Sequence, residues 1–304
     1  MASKIYKLSF LTPVRFGIMT NTASQSCIHA DTLFSALFMA LLESGKGEDF
    51  LEAVRENRLL FSDGMPFRGE ELYLPRPVGV YPKTIEAETD PGTRKLLKKI
   101  LWIPMSRFQD WLDGSVRPEE LIVRFGQTLE RTRVNKRGEE PMPYQVEGFR
   151  FDDDCGLYLI VHAASEEELN MMDEGMKLLT AAGIGALKST GWGKFTVTSH
   201  AVPDCLQSLL EDDQSGCQML LSIAMPAENE GQDAVDGANF VLVQRGGYTA
   251  ASGEPITLKQ TVWLFAPGST FKTRFAGDIL DLSISSPHPI WRYGKALMMG
   301  VRTE

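Results

Sequence analysis

The sequence predicts an α+β protein whose first two thirds follow the βαββαβ order of a ferredoxin-like fold. Strand-like segments occur at residues 4–11 and 156–163. Apolar residues recur every three or four positions from Asp31 onward and again over residues 166–182, as in amphipathic helices. A glycine-rich loop and a final strand pattern follow the second of these helices. These three observations give the predicted order of elements.

Composition limits the kinds of partner that the chain can have. Its 304 residues are 43% hydrophobic, which is enough for a sizeable core. The charge balance is acidic, with 31 Lys and Arg against 40 Asp and Glu, which argues against a protein that coats nucleic acid non-specifically. Any RNA contact must therefore use local basic patches.

Cysteine spacing and the N-terminal pattern indicate the compartment. The four cysteines are scattered and form no Cys-x-x-Cys pair, so we expect neither a disulfide framework nor a zinc site, and no cofactor. The N-terminus alternates polar and apolar residues and lacks a secretory apolar block. The longest apolar stretch, near residues 33–42, is too short to span a bilayer. We therefore expect a cytoplasmic protein with no membrane partner.

The first elements are read from periodicity and from helix breakers. Residues 4–11 alternate as a half-buried strand that ends near Pro13. A helix follows, with Asp31 or Ser26 expected at its start, and residues 48–57 predict a second, short helix. Six prolines between residues 59 and 104 predict short strands and loops that wrap the surface. Residues 105–112 predict one more short helix.

A basic hairpin is predicted next. Residues 129–137 and 144–151 have the composition of its two arms. The first arm is unusual for an acidic protein because it places four positive charges within seven residues, at Arg131, Arg133, Lys136 and Arg137. The hairpin is therefore either a nucleic-acid contact or a solvated edge ribbon whose charges prevent strand pairing.

The loop at residues 183–195 is the strongest functional signal. Its glycines allow positive φ values and expose main-chain N–H groups, and two lysines add charge, which favours a site for a phosphate backbone. It is not a nucleotide P-loop, because Phe195 follows Lys194 where Ser or Thr would bind Mg²⁺. It is not a dinucleotide fingerprint, because it follows a helix and precedes a strand. The alternative is an ordinary helix C-cap and turn.

A second, β-rich region follows Pro203. The acidic run at residues 211–213 predicts a linker, and strand-like segments recur at 217–225, 238–244, 260–265 and 269–275. We therefore predict two domains, at residues 1–205 and 206–304, the first carrying an insertion, the hairpin at about 128–150 and the glycine-rich loop.

Four segments together resemble a known family from end to end. They are Val-Arg-Phe-Gly from Val14 with His-Ala-Asp-Thr-Leu from His29, the loop at 183–195, Gln-Arg-Gly-Gly-Tyr from Gln244, and His-Pro-Ile-Trp-Arg-Tyr-Gly-Lys from His288. They look like the Cas-five-type subunit of the type III-A CRISPR effector, the fourth subunit of the Csm complex. This subunit belongs to the RAMP superfamily, whose hallmark is such a loop in an RRM-like domain.

The resemblance implies a non-catalytic, RNA-binding role in antiviral defence. It implies two RRM-like (RAMP) domains, the second degenerate and β-rich, with a protruding β-hairpin. Such a subunit would grip the repeat-derived 5′ handle of the guide RNA and cap the effector filament between the large signalling subunit and the backbone subunit, meeting target RNA only indirectly. In such complexes a hairpin thumb wedges beside the guide. We match it to residues 128–150 by charge and position.

The expected RNA contacts lie in five segments. They are Arg15, Gly17 and His29; Arg131, Arg133, Lys136 and Arg137; Gly183, Gly185, Lys188, Ser189, Gly191, Trp192, Gly193 and Lys194; Arg245, Gly246 and Gly247; and His288, Arg292, Tyr293 and Lys295. Core packing is the alternative for Trp192 and Tyr293, and a structural role is favoured for Trp192.

Two rival functions follow from the same residues. His29 precedes a helix where RAMP-type guide-processing enzymes keep a histidine, so a metal-independent endoribonuclease acting through His29 is the first rival. A scaffold that docks proteins and never touches RNA is the second, and the acidic balance favours it weakly. Residues 152–154, three aspartates at the entry of a strand, predict a solvated turn more readily than a cation site.

Overall fold

The structure is a computed structural model that describes residues 2–17, 24–80, 91–135, 142–248, 258–283 and 288–302. Its strands are, in chain order, β1 (Ala2–Phe10), β2 (Phe16–Gly17), β3 (Ser24–Gln25), β4 (Leu59–Phe61), β5 (Met65–Arg68), β6 (Glu71–Pro75), β7 (Trp102–Pro104), β8 (Gly126–Asn135), β9 (Met142–Phe151), β10 (Cys155–Ala163), β11 (Phe195–Ala201), β12 (Gln218–Leu220), β13 (Leu242–Arg245), β14 (Val262–Phe265), β15 (Thr270–Phe271), β16 (Gly277–Asp281), β17 (Trp291–Lys295) and β18 (Met298–Gly300). Its helices are α1 (Ala30–Glu43), α2 (Gly47–Arg55), α3 (Pro91–Lys99), α4 (Phe108–Asp113), α5 (Glu166–Ala182), α6 (Asp204–Glu211) and α7 (Gly231–Val235).

A seven-stranded antiparallel sheet forms the centre of the molecule. Its order is β11-β1-β10-β5-β6-β7, and β4 also pairs with β10. Helices α1 and α5 pack together over this sheet, because their apolar stripes share one buried cluster with strand residues such as Leu157 and Val161. The α+β prediction is confirmed, with α1 and α5 as its two crossing helices.

The described residues between 59 and 104 form the predicted short strands, but these strands do not wrap the surface as their prolines had indicated. Strands β4 to β7 extend the central sheet, and side chains such as Leu74 and Ile103 are fully buried. Pro75 and Pro104 are the last residues of β6 and β7, where a missing N–H costs little. On the side of β10 away from β1, the neighbouring strands are therefore β4 and β5. The hairpin of β8 and β9 forms a separate two-stranded sheet.

The capping of α1 differs from prediction. Helix α5 begins at Glu166 with Ser165 as N-cap, whose Oγ accepts from the N–H of Glu167 at 3.1 Å. Helix α1 begins at Ala30 with His29 as N-cap, so neither Asp31 nor Ser26 caps it. The N–H of Ala30 donates instead to Asp63 Oδ1 at 2.9 Å, a cap that comes from a distant turn.

The second region is β-rich, as predicted, and packs against the first. Ile223, Leu264 and Tyr293 belong to the cluster of α1 and α5, while Met219 and Leu297 pack on the other face of the sheet with Ile5. The predicted linker is part of this packing, because α6 runs to Glu211 and the Asp212 carbonyl accepts from Arg274 Nη2 at 2.9 Å. The boundary at residues 205 and 206 stays a prediction. No helix in the described ranges has the length and apolarity needed to cross a membrane.

Candidate nucleic-acid interface

The glycine-rich loop has a fixed main-chain path. Gly183, Gly185, Gly191 and Gly193 have φ values of 75°, 89°, 82° and 71°, all in the left-handed region. Gly193 N–H donates to Pro13 O at 2.8 Å, and Ala186 N–H donates to Arg15 O at 2.9 Å. A Cβ on Gly193 would lie 1.9 Å from Ile184 O. The glycines therefore let the loop fold closely onto residues 12–15.

The outer turn of the loop presents charge and main-chain donors. Lys188 and Ser189 lie in a 3₁₀ turn and are exposed, as is Lys194. Within the part of the chain that the structure describes, the N–H groups of Lys188 and Ser189 donate to no acceptor. Two unpaired N–H groups beside two lysines are suited to a phosphate oxygen.

The hairpin β8–β9 lies against this loop through Trp192. The Trp192 ring is 4% exposed and packs over Gly148, where a Cβ would meet the ring at 2.1 Å. The guanidinium of Arg131 lies 5.3 Å from the centroid of the same ring. Val14 and Phe149 also exchange two main-chain hydrogen bonds, at 2.8 and 2.9 Å. Trp192 therefore has the structural role favoured from sequence, since it joins loop and hairpin.

Three arginines converge beside the loop. Arg131 and Arg133 are opposite Val146 and Tyr144 in the ladder, so they share the hairpin face that covers Trp192. Burial lowers the pKa of Arg15 most strongly; Tyr144 opposes this shift and the nearby charge of Arg133 adds to it. The structure thus brings together Arg15, the first hairpin arm and the loop, which the sequence could only name separately. Lys136 and Arg137 lie outside the described residues.

A second group of predicted contacts lies inside the protein. Asp31 Oδ2 and Oδ1 accept from Arg245 at 3.0 and 2.8 Å, and Asp31 also pairs with Arg292. Burial alone would raise the pKa of Asp31, but Arg245 and then Arg292 hold it well below its usual value. Arg292 also donates to Gly246 O at 3.0 Å. This ion-pair cluster joins α1 to β13 and β17.

Tyr293 and Lys295 are likewise turned inward. The Tyr293 ring is fully buried, lies 4.5 Å from the Phe61 ring and donates its hydroxyl to Phe61 O at 3.1 Å. Lys295 Nζ donates to the carbonyls of Arg55 and Gly277 at 2.9 and 3.1 Å. Both side chains therefore have hydrogen-bond partners inside the protein.

Three further predicted contacts are exposed but lie on segments apart from the loop and the ion-pair cluster: Gly17, Gly247 and His288.

His29 forms a buried pair with a carboxylate. It is 7% exposed, and its Nδ1 lies 2.5 Å from Asp63 Oδ2. Asp63 Oδ1 accepts from the N–H groups of Ala30 and Ile223, both at 2.9 Å, so this carboxylate joins the two regions. Asp63 therefore holds both His29 and the first N–H of α1 in place.

Comparisons with known proteins bear on this arrangement. Residues 213–301 match the family described as the CRISPR Csm4 C-terminal domain. The Csm4 protein of Mycobacterium tuberculosis is 28% identical over 99% of this chain and 98% of its own length, and the Csm4 protein of Streptococcus thermophilus is 29% identical over 98% of each. The chain is similar to Csm4 proteins over almost its whole length. The resemblance stated from four sequence segments is confirmed.

Solved structures also share the fold of this chain. A chain in the crystal structure of a Csm3-Csm4 subcomplex of the type III-A CRISPR-Cas interference complex has a TM-score of 0.70 at 16% identity, covering 99% of this chain and all of that one. A chain in the Csm1-Csm4 cassette in complex with cA4 has a TM-score of 0.67 at 20% identity, covering all of this chain and 99% of that one. These likenesses confirm the predicted α+β fold.

Sequence reasoning missed two residues that organise these sites. Asp63, which holds His29 and α1, lies in a short turn with no periodicity that could reveal it. Gly148 makes room for Trp192, and a lone glycine within a strand pattern is a sign of such close approach.

Asp154 pairs with Arg68 at 3.0 Å, and among the described residues no three His, Cys, Asp or Glu side chains are placed to hold a metal.

Proposed function

We propose that this protein is the Csm4 subunit of a type III-A CRISPR ribonucleoprotein and binds the repeat-derived 5′ handle of the guide RNA. The observation that carries the proposal is the convergence of the glycine-rich loop with Arg15, Arg131 and Arg133. In an acidic chain of net charge −9, these side chains with Lys188 and Lys194 form a local basic surface beside two N–H groups that have no acceptor among the described residues. Such a surface suits the sugar–phosphate backbone more than the bases.

The same proposal includes the subunit's place in the complex. The structurally similar chains come from a Csm3-Csm4 subcomplex and a Csm1-Csm4 cassette. This supports a role in which the chain caps the filament, joins the large signalling subunit to the backbone subunit, and meets target RNA only through them.

The test of RNA binding uses the assembled complex with a guide of defined 5′ end. Lys188→Ala/Lys194→Ala should weaken handle binding and lower the slope of log affinity against log salt by about one to two units, one for each lost phosphate contact. The matched control is Lys98→Ala/Lys99→Ala, which removes two exposed lysines from α3. If the control pair lowers affinity and slope while the loop pair does not, the loop is not the RNA site.

The ribonuclease rival has one structural feature in its favour. A histidine whose Nδ1 contacts a carboxylate is the usual arrangement of a general base, and His29 Nε2 has no partner among the described residues. At 7% exposure, however, this nitrogen is shielded from an RNA backbone. We propose that the protein does not cut RNA. Purified protein should leave repeat RNA intact, and specific cleavage that disappears in His29→Ala would establish the rival instead.

A further inference from the structure

A groove follows the open edge of the central sheet. Strand β11 is outermost in this sheet, and among the described residues its outer side pairs with no other strand. Helix α5 contacts β11 and β1, so α5 forms one wall of the groove and the two strands form its floor. The groove has a volume of about 340 Å³, which lies within the range of small-ligand sites. We call it the α5–β11 groove.

The wall of the α5–β11 groove is one face of α5. Asp173, Met176, Lys177 and Thr180 line it, and their spacing along the helix places them on the same side. Met176 is buried, but Asp173 and Thr180 are half-buried and Lys177 is exposed. This largely polar face stays open because the sheet ends at β11.

The Asp173 carboxylate is held by β1 and keeps an acceptor for a ligand. Its Oδ1 accepts from Tyr6 Oη at 2.7 Å and from Lys4 Nζ at 2.9 Å. Among the described residues, its Oδ2 accepts only from Lys4 Nζ, at 2.8 Å. A carboxylate oxygen can accept two hydrogen bonds, so Oδ2 has room for one more donor. The side chain is 42% exposed, so a ligand in the groove can reach it.

A second polar group lies at the same end of the groove. Ser199 lines the floor and is opposite Tyr6 in the ladder. Because Tyr6 donates to Asp173, the ladder places Ser199 beside that carboxylate. One end of the groove therefore offers a carboxylate oxygen and a hydroxyl together, which suits two adjacent hydroxyl groups of a ligand.

Charge in the groove favours a negative group on that ligand. Lys4 and Lys177 are two positive charges against the single carboxylate of Asp173, so a cationic ligand would be repelled. Lys177 lies one helical turn beyond Asp173, which places the two Cβ atoms about 5–6 Å apart. An anion bound at Lys177 would thus be one sugar ring away from hydroxyls bound at Asp173.

The rest of the floor is apolar. Phe195 is buried and Val197 is half-buried, and both line the groove beside Met176. Such a surface next to a few convergent polar groups is typical of a site for a planar ring that carries polar substituents.

We propose that the α5–β11 groove binds a ribonucleotide that has free 2′ and 3′ hydroxyls. The hydroxyls bind Asp173 and Ser199, the phosphate binds Lys177, and the base packs on Val197 and Phe195. This arrangement is sterically consistent, because the base and the 5′-phosphate leave the ribose from the same face. Nucleotides inside an RNA chain lack the free diol, so the ligand is a free nucleotide or the 3′-terminal nucleotide of an RNA.

The experiment titrates the full-length chain with AMP in a calorimeter. Wild-type protein should bind one AMP saturably, and 2′,3′-dideoxy-AMP should bind about tenfold more weakly or worse, because the polar groups at Asp173 lose their partners. Lys177→Ala should weaken AMP binding severalfold and leave adenosine binding unchanged, since only AMP carries the phosphate. Asp173→Asn should abolish the preference for AMP over the dideoxy analogue.

The matched control is Glu174→Gln, which changes the neighbouring carboxylate. Glu174 pairs with Lys46 and does not line the groove, so this variant should bind AMP as the wild type does. Melting temperatures identify any variant that has lost its fold. Lys177→Ala keeps the test decisive if Asp173→Asn unfolds, because Lys177 is exposed.

Competition identifies the source of the nucleotide. A short RNA with a 3′-terminal diol should displace AMP if the natural ligand is an RNA end, whereas the same RNA ending in a 3′-phosphate should not. Displacement by neither RNA assigns the groove to a free nucleotide. Displacement by both would show that the diol is not recognised and would overturn the proposal.

Other results would also overturn it. These are no saturable AMP binding at millimolar concentration, equal affinities for AMP and its dideoxy analogue, or unchanged AMP affinity in Lys177→Ala. The inference goes beyond the proposed function and does not depend on it. Lys177→Ala should leave handle-RNA binding of the assembled complex unchanged, so failure of either proposal can be told from failure of the other.

Discussion

At the scale of single residues, one buried carboxylate explains why several predicted RNA contacts lie inside the protein. Asp31 is 3% exposed and binds Arg245 and Arg292, which arrive from β13 and β17, more than two hundred residues later in the chain. A buried charge must be paired, so each arginine already has a partner within the fold. These side chains therefore join the second region to α1.

We predict that Asp31→Asn lowers the free energy of unfolding by about 3–5 kcal/mol, because it leaves two buried arginines without an anion. Since the pKa of Asp31 is lowered in the folded state, its contribution to stability is complete above about pH 4 and is lost as the pH falls through the folded pKa. Wild-type stability should therefore fall more steeply below about pH 4 than that of the variant. Urea unfolding at several pH values measures both.

The control is Asp154→Asn, which removes an exposed carboxylate paired with Arg68. Its stability should stay close to that of the wild type, because exposed ion pairs contribute little. Equal losses in the two variants would contradict a structural role for Asp31.

At the scale of elements, the loop and the hairpin act as one unit. The main chain of the loop is hydrogen-bonded to the segment at residues 12–15. The hairpin packs on the loop where Gly148 contacts the ring of Trp192. A change in the packing of this joint should therefore change RNA binding, although neither Trp192 nor Gly148 needs to touch a phosphate.

We predict that Gly148→Ala destabilises the protein by about 1–3 kcal/mol, because the added Cβ would lie 2.1 Å from the Trp192 ring. The same change in a Trp192→Leu background should cost less, since the clashing ring is gone. A double-mutant cycle in thermal unfolding measures the coupling. Gly216→Ala, with open space around its Cβ, is the neutral control. Additive effects would show that ring and glycine do not interact.

The basic arm of the hairpin allows a second prediction at this scale. Arg133→Ala should reduce the salt slope of handle binding by about one unit, the amount expected for one lost phosphate contact. Arg131→Ala should reduce RNA binding and also stability, because its guanidinium packs on the Trp192 ring. Filter binding over a salt series, paired with melting temperatures, separates the two effects. Wild-type slopes in both variants would place the RNA elsewhere.

At the scale of the whole molecule, the two regions share their interior. Leu264 and Tyr293 lie in the cluster formed by α1 and α5, Leu297 packs beneath the sheet with Ile5, and Asp63 binds the N–H of Ile223. Separating the regions at residue 205 would expose these side chains to water and unpair the Asp31 ion pairs.

We therefore predict one cooperative thermal transition for the full chain, with fluorescence, circular dichroism and calorimetry giving coincident curves. Residues 206–304 expressed alone should bind a hydrophobic dye and lack a sharp transition, because their apolar surfaces have lost their cover. Two separate transitions in the full chain would instead show that the regions are independently stable domains.

The sequence by itself determined the elements that depend on local chemistry. Periodic apolar residues were enough for α5, alternation was enough for β1 and β11, and glycine density was enough for the loop at 183–195. Motif order along the chain was enough for the family. These features are local because helix caps, strand alternation and positive φ values are set by residues a few positions apart.

Only the tertiary structure decided where distant charges meet. Arg131 and Arg15 share one surface because Gly148 admits the ring of Trp192. Arg292 is buried because β17 packs on α1, where Asp31 pairs with it. The prolines of residues 59–104 likewise predicted short strands and loops on the surface, whereas Pro75 and Pro104 lie at the ends of two strands of the central sheet. An arginine that binds phosphate and one that closes a buried ion pair have the same local sequence signature, and they differ only in which distant groups the fold brings within a few ångströms.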